Sequence, residues 1–210
     1  MDPLFITFLV IHIVSGGIAL LIGSYIMIAA KGDRKHVLSG KIFAVSMYVC
    51  AVAGLVMALL HNSIFLLCIS VFTIFMLTTG LQGMALVKGR IRKSAPILII
   101  SATMVLFSMG LIYFGVVNEF NVVILAFGAG SLVMCVQDFM MFFGRTKLAN
   151  PYYLLHIQRM TGAYIAAFTA FLVVNNTFLP AVVAWLAPSV VGSILITVWS
   201  RKHAKLKHEN

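Results

Sequence analysis

The sequence predicts an all-α, polytopic integral membrane protein: seven transmembrane helices, the N-terminus outside and the C-terminus cytoplasmic. Three observations carry this. The composition is 62% hydrophobic and only 10% charged, with a mean hydropathy of +1.08, whereas a soluble domain carries about 25% charged residues. Apolar runs of about 20 residues, the length that crosses a bilayer, recur along the whole chain. Fourteen of the 15 Lys and Arg residues are gathered into alternate connections and the tail instead of being spread over a surface.

The runs read as spans at 4–30, 40–60, 64–87, 95–117, 121–143, 154–175 and 179–199. They form one membrane domain over 1–200, followed by a basic cytoplasmic tail at 201–210. Asp2 and the lack of a positive leader make the first run an uncleaved span. The connection after it holds Lys31, Arg34, Lys35 and Lys41; the one after the third holds Lys88, Arg90, Arg92 and Lys93. Arg145 and Lys147 follow the fifth span, and Arg201, Lys202, Lys205 and Lys207 follow the seventh. Arg159, at the start of the sixth, is on the same side, and the opposite connections have no basic residue. The positive-inside rule then sets the orientation. The net charge of +10 reads as topology and contact with anionic lipids at the cytoplasmic face, so no nucleic acid is expected. The expected location is the bacterial plasma membrane, and a homo-oligomer is a candidate assembly.

Within spans one, five and six, small residues mark where helices approach closely in lipid. His12, Gly16, Ala19 and Gly23 fall on one stripe of the first span; Gly128 and Gly130 lie in the fifth; Ala163, Ala166 and Ala170 lie in the sixth. Pro188 is expected to kink the seventh. Cys50, Cys68 and Cys135 make no CxxC pair and read as buried apolar residues.

Polar residues at membrane depth are costly, and each is a candidate site. His12 lies about nine residues into the first span, roughly 13 Å deep, as a packed histidine or as a haem or metal ligand. His36 sits in the first cytoplasmic loop. Asp138 is the acidic residue of the fifth span, and His156 and Arg159 share a face at the start of the sixth. Equal depths predict an Asp138–Arg159 ion pair. The same group offers a cytoplasm-facing site, with Asp138, His156 and His36 for a metal or a proton and Arg159 for an anion. Gln82, Thr78, Thr79, Gln137 and Tyr164 are supporting polar residues. No HExxH, GxSxG or phosphate-loop motif is present, and no span carries a lysine for a retinal Schiff base.

HIVSGGIALLIG at 12–23 with KGDRKHVLSGKIF at 31–43, and HIQRMTGAYIAAFTAFLVVN at 156–175, resemble an uncharacterised bacterial family of predicted multi-span membrane proteins, a domain of unknown function, in its Bacteroidetes-type branch. The resemblance covers most of the chain. It implies family-pattern positions at His12, Gly16, Gly23, His36, Gly40, Asp138, His156, Arg159, Met160, Gly162, Tyr164 and Asn175. Val37 departs from an expected basic residue and Gln158 from an expected small one. The resemblance implies no reaction.

Three functional readings compete. The favoured one is a metal- or haem-binding membrane protein, with redox activity as one option, in which haem b or a divalent metal is held by His12 or by the His36/Asp138/His156 group. The second is a small-solute or proton-coupled transporter with Asp138, His156 and Arg159 on the pathway. The third is a non-catalytic scaffold in which the ion pair is structural.

Overall fold

The computed structural model describes residues 2–91, 95–118, 121–146, 148 and 150–205, with the backbone alone at 181, 182 and 203–205. Arg92, Lys93, Lys147 and Lys207, which entered the sequence reading of the loops and tail, lie outside the described residues. The described residues form seven helices: α1 Pro3–Ile28, α2 Arg34–His61, α3 Ile64–Val87, α4 Ala95–Val117, α5 Val122–Phe142, α6 Pro151–Asn175 and α7 Ala181–Lys205. All seven are long and apolar enough to cross a membrane. A helix satisfies its backbone polar groups internally, which is the condition for a chain segment in hydrocarbon.

Polar residues set the helix ends. Asp2 caps α1 by accepting from Leu4 N at 2.9 Å, ahead of Pro3 at the first helical position. At the other end of α1 the Lys31 ammonium folds back onto the carbonyls of Ile26, Met27 and Ala29, which closes acceptors that the helix leaves open. Asp33 accepts from His36 N at 2.7 Å and starts α2 at Arg34. This moves the start of the second span back from 40 and corrects the position of His36, which lies in the first turn of a helix and not in a loop. The carboxylate three residues before it provides the cap that a hydropathy window does not see. Past the ends of α3 and α5 stand Gly89 and Gly144, at φ +65° and +66°. Each lets the next N–H reach back into the last turn, Arg90 to Ala85 O and Arg145 to Met140 O, both at 2.9 Å. α7 runs through Pro188 as far as Lys205. Arg201 and Lys202 are therefore helical.

The chain divides into two compact units. One comprises Met1–Ile74 and Gly162–Gly192; the other comprises Phe75–Thr161 and Ser193–Asn210. In the first unit α1 lies along α2 through the expected small-residue stripe. A Cβ on Gly16 would stand 3.1 Å from Cys50 Sγ, Ala19 is fully buried, and a Cβ on Gly23 would collide with the Tyr164 ring. Tyr164 Oη then meets Ser24 Oγ at 2.8 Å. The ring of His61 rests on Phe5, 4.0 Å between centroids.

In the second unit α4 lies along α5. Ser108 Oγ and Ser131 Oγ are 2.6 Å apart, and Gly128 meets Ser108 O and Ile112. Gly130, expected at a helix contact, has nothing within 4 Å of its Cβ position. It lies two residues, about 200°, around the helix from Gly128. In the same unit the end of α3 meets the start of α6. A Cβ on Gly83 would stand 2.8 Å from the backbone oxygen of Tyr152. That obstacle cannot rotate away. Gly83→Ala is expected to destabilise the protein by about 1–3 kcal/mol despite its better helix propensity. Gly17→Ala, whose Cβ meets nothing within 4 Å, is expected to be neutral or to stabilise by up to about 1 kcal/mol. Detergent melts of the two variants decide it, and equal melting points refute this account of the α3–α6 contact.

Candidate functional site

The second unit holds a charged centre built from α4, α5 and α6. Arg159 Nη2 lies 2.7 Å from Asp138 Oδ1, and the two side chains are 1% and 0% exposed. Helix geometry explains why they meet. Asp138 is four residues from the end of α5 and Arg159 eight from the start of α6, about 6 and 12 Å along their axes, so the expected equal depth is not what the helix ends give. Side chains lean toward the N-terminus of their own helix. In an antiparallel pair that carries Asp138 deeper and Arg159 shallower until the groups touch.

The contacts around the pair are uneven. Asp138 Oδ2 accepts from Ser101 Oγ of α4 at 2.7 Å. Arg159 Nη2 also donates to Met134 O at 2.9 Å, so it clamps a full turn of α5, from the carbonyl of Met134 to the carboxylate of Asp138. The Phe75 ring of α3 lies under the guanidinium, 4.9 Å from Cζ to the centroid, a cation–π distance. Cys135, fully buried, precedes Asp138 by one turn. The backbone of α3 comes close because Gly80 has no side chain: its Cβ would stand 2.9 Å from Arg159 Cβ. The carbonyl of Gly80 accepts from His156 Nδ1 at 3.0 Å. A carbonyl only accepts, so the proton of that bond is on Nδ1.

Nη2 thus carries both of the guanidinium's hydrogen bonds. Arg159 Nε and Nη1, buried with the rest of the side chain, have no hydrogen-bond partner among the described residues. An Asp–Arg pair commonly closes as a two-bond fork. This one does not: Arg159 meets Oδ1 alone, and Oδ2 accepts from Ser101.

Comparison of the chain with protein-family models, with curated proteins and with solved structures returns no match.

The remaining sequence-predicted residues fall out as follows. His156 joins the Asp138/Arg159 centre through Gly80 of the same unit. Thr79 bonds its own helix at Phe75 O, 2.8 Å away, and Thr78 is half-buried on the same turn. Gln82 is half-buried with Oε1 lacking a hydrogen-bond partner among the described residues. Gln137 is exposed, on another face of α5 from Asp138. His12, His36 and Tyr164 belong to the first unit. There His12 Nδ1 donates to Cys50 O at 2.9 Å, with Cys50 Sγ 3.4 Å from Nδ1 and 3.9 Å from Nε2. Among the described residues, no group of three or more His, Cys, Asp or Glu side chains is placed to hold a metal ion. The two Asp138 oxygens accept from Arg159 and from Ser101.

Sequence reasoning missed Ser101, Ser108 and Ser131, all fully buried. Their signal is a shared register. Ser101 and Ser108 are seven apart on α4; Ser131 and Asp138 are seven apart on α5; Ser101 meets Asp138 and Ser108 meets Ser131. One antiparallel alignment satisfies both contacts. Asp138→Ala and Arg159→Ala are each expected to cost about 3–5 kcal/mol by stranding the partner. The double variant is expected to cost less than their sum, and Ser101→Ala about 1.5–3 kcal/mol, since its acceptor is charged. Additive losses in a double-mutant cycle on detergent melts would show that the pair is not energetically coupled.

Proposed function

We propose that the protein is a multi-pass protein of the bacterial plasma membrane that binds a small anionic solute at Arg159, as a small-solute transporter. The observation supporting this is the Arg159 guanidinium: 1% exposed, with Nε and Nη1 lacking any hydrogen-bond partner among the described residues. Each buried donor left unsatisfied costs about 1–3 kcal/mol, more when it carries charge. An oxygen of an anion removes that cost. Arginine suits the role, since its charge is permanent and its donors are fixed in a plane. A scaffold needs only the pair, and closing the pair as a fork would serve it better.

Nitrate is a suitable probe because it is planar, monovalent and never protonated between pH 5 and 8. At constant ionic strength against gluconate, nitrate at a hundred times its Kd is expected to stabilise the detergent-purified protein by about 2.7 kcal/mol. The Asp138→Asn/Arg159→Gln double variant is expected to show no such rise. An equal rise in both refutes the reading.

A second reading is favoured by a separate observation at His12. Its Nδ1–H is spent on Cys50 O, the arrangement that orients a metal-ligating imidazole and leaves Nε2 as the lone-pair nitrogen. In this reading His12 holds haem b or a divalent metal, which would supply redox or Lewis-acid chemistry when bound. Purified protein is then expected to carry a Soret band or stoichiometric metal that His12→Ala removes; wild type with neither refutes it.

The orientation proposed with both readings is N-terminus outside and C-terminus cytoplasmic, with anionic lipids against the basic connections, as the distribution of Lys and Arg favours. A cysteine placed at Arg90 is expected to resist labelling from outside intact cells, and labelling there overturns the orientation.

A further inference from the structure

The charge balance at Arg159 constrains how an anion can bind. Asp138 and Arg159 are 2% and 1% exposed and make a single direct contact. Together they are neutral. Adding an anion to a neutral buried pair leaves one uncompensated negative charge in a low-dielectric site, which is the costly case. Removing the carboxylate charge removes that cost. We infer that the site takes up its anion together with one proton on Asp138, so that a small monoanion and a proton bind as a neutral unit. The inference rests on the proposed anion site at Arg159.

The surroundings allow the exchange. Before uptake, Asp138 is a carboxylate accepting from Arg159 Nη2 and Ser101 Oγ. After uptake, carboxylate plus proton plus anion has become carboxylic acid beside an anion–guanidinium pair. No bond other than the O–H is made, and the net charge stays zero. Ser101 suits both states, because a hydroxyl donates to a carboxylate and accepts from a carboxylic acid. Nη1 and Nη2 form the terminal fork of the guanidinium. Nη1 has no partner among the described residues, and Nη2 is the nitrogen bonded to Asp138, so loss of the carboxylate charge frees the fork for an anion's oxygens.

Several other groups face Asp138 or its partner. On α5 these are Cys135 and the Met134 carbonyl; on α4, Ser101; on α3, the Phe75 ring and the backbone of Gly80. On α6, besides Arg159, His156 lies one turn away and spends its Nδ1–H on Gly80 O. None of these contacts supplies a second fixed positive charge to balance an anion.

The test is nitrate binding to the full chain in detergent between pH 5 and 8. Calorimetry in two buffers of different ionisation enthalpy counts the protons taken up. The expected result is one proton per nitrate and an affinity that rises about tenfold for each unit the pH falls while Asp138 is ionised. Asp138→Asn, which mimics the protonated acid, is expected to bind nitrate at pH 8 with no proton uptake and no pH dependence. Wild type that binds nitrate with a pH-independent affinity and no proton uptake overturns the coupling and leaves the anion site standing. If neither wild type nor Asp138→Asn binds nitrate at any pH, both the coupling and the anion site fall. The proton count is made on the wild type, so the coupling stays testable should Asp138→Asn fold poorly.

Discussion

The Asp138–Arg159 contact is the constraint around which the second unit is arranged. At membrane depth either charge alone costs on the order of 3 kcal/mol by insertion scales, so each residue fixes where the other must be. The clamp of Arg159 on Met134 O and Asp138 ties α6 to one turn of α5, and Ser101 ties α4 to the same carboxylate. Three helices are indexed by one ion pair. Apolar contacts in lipid do not provide that indexing, because sliding one apolar helix along another changes little when hydrocarbon surrounds both.

Close approach is the second requirement, and glycine provides it at named places. Arg159 reaches its partners from beneath α3 only because Gly80 leaves room for Cβ of Arg159 and for the thioether of Met160. The same residue lends its carbonyl to His156. One position without a side chain thus positions two candidate site residues. In the first unit Gly54 does the same for His12 and Ser70: a Cβ there would stand 2.7 Å from Ser70 Oγ and 3.4 Å from the His12 ring. Sequence and chemistry are linked here through space, since the residues that permit the contacts carry no chemistry of their own.

Much of this was legible in the sequence, and the failures share a cause. Seven apolar runs give seven helices because hydropathy reports the solvent that a segment prefers. The Asp138–Arg159 contact was legible because isolated charges in adjacent apolar runs have few ways to be satisfied. The start of α2 was not, since a single carboxylate, Asp33, decides it by capping. Nor was the end of α7, where helical hydrogen bonding continues past the last apolar residue to Lys205. Gly130 and Gly128 look equivalent in a list of small residues, but 200° of helix separates a contact from an open face. Ser101, Ser108 and Ser131 were overlooked because a serine can bond its own helix, as Ser108 does at Met104 O. Its cross-helix bond appears only when the register of two helices is considered together.

That register bears on what the charged centre is for. A carboxylate and a guanidinium left to themselves in a low-dielectric site gain most by closing both bonds of the fork. Here α4 presents Ser101, whose hydroxyl donates to Oδ2. The same alignment places Ser108 against Ser131 one heptad deeper, so Ser101 is held where it stands by a contact remote from the charges. The pair makes a single direct bond, and two guanidinium nitrogens have no acceptor among the described residues. Stability alone would favour the closed fork. The open one costs hydrogen-bonding energy at the largest fully buried side chain among the described residues, and an arrangement of that kind is expected where the remaining donors have a ligand to meet.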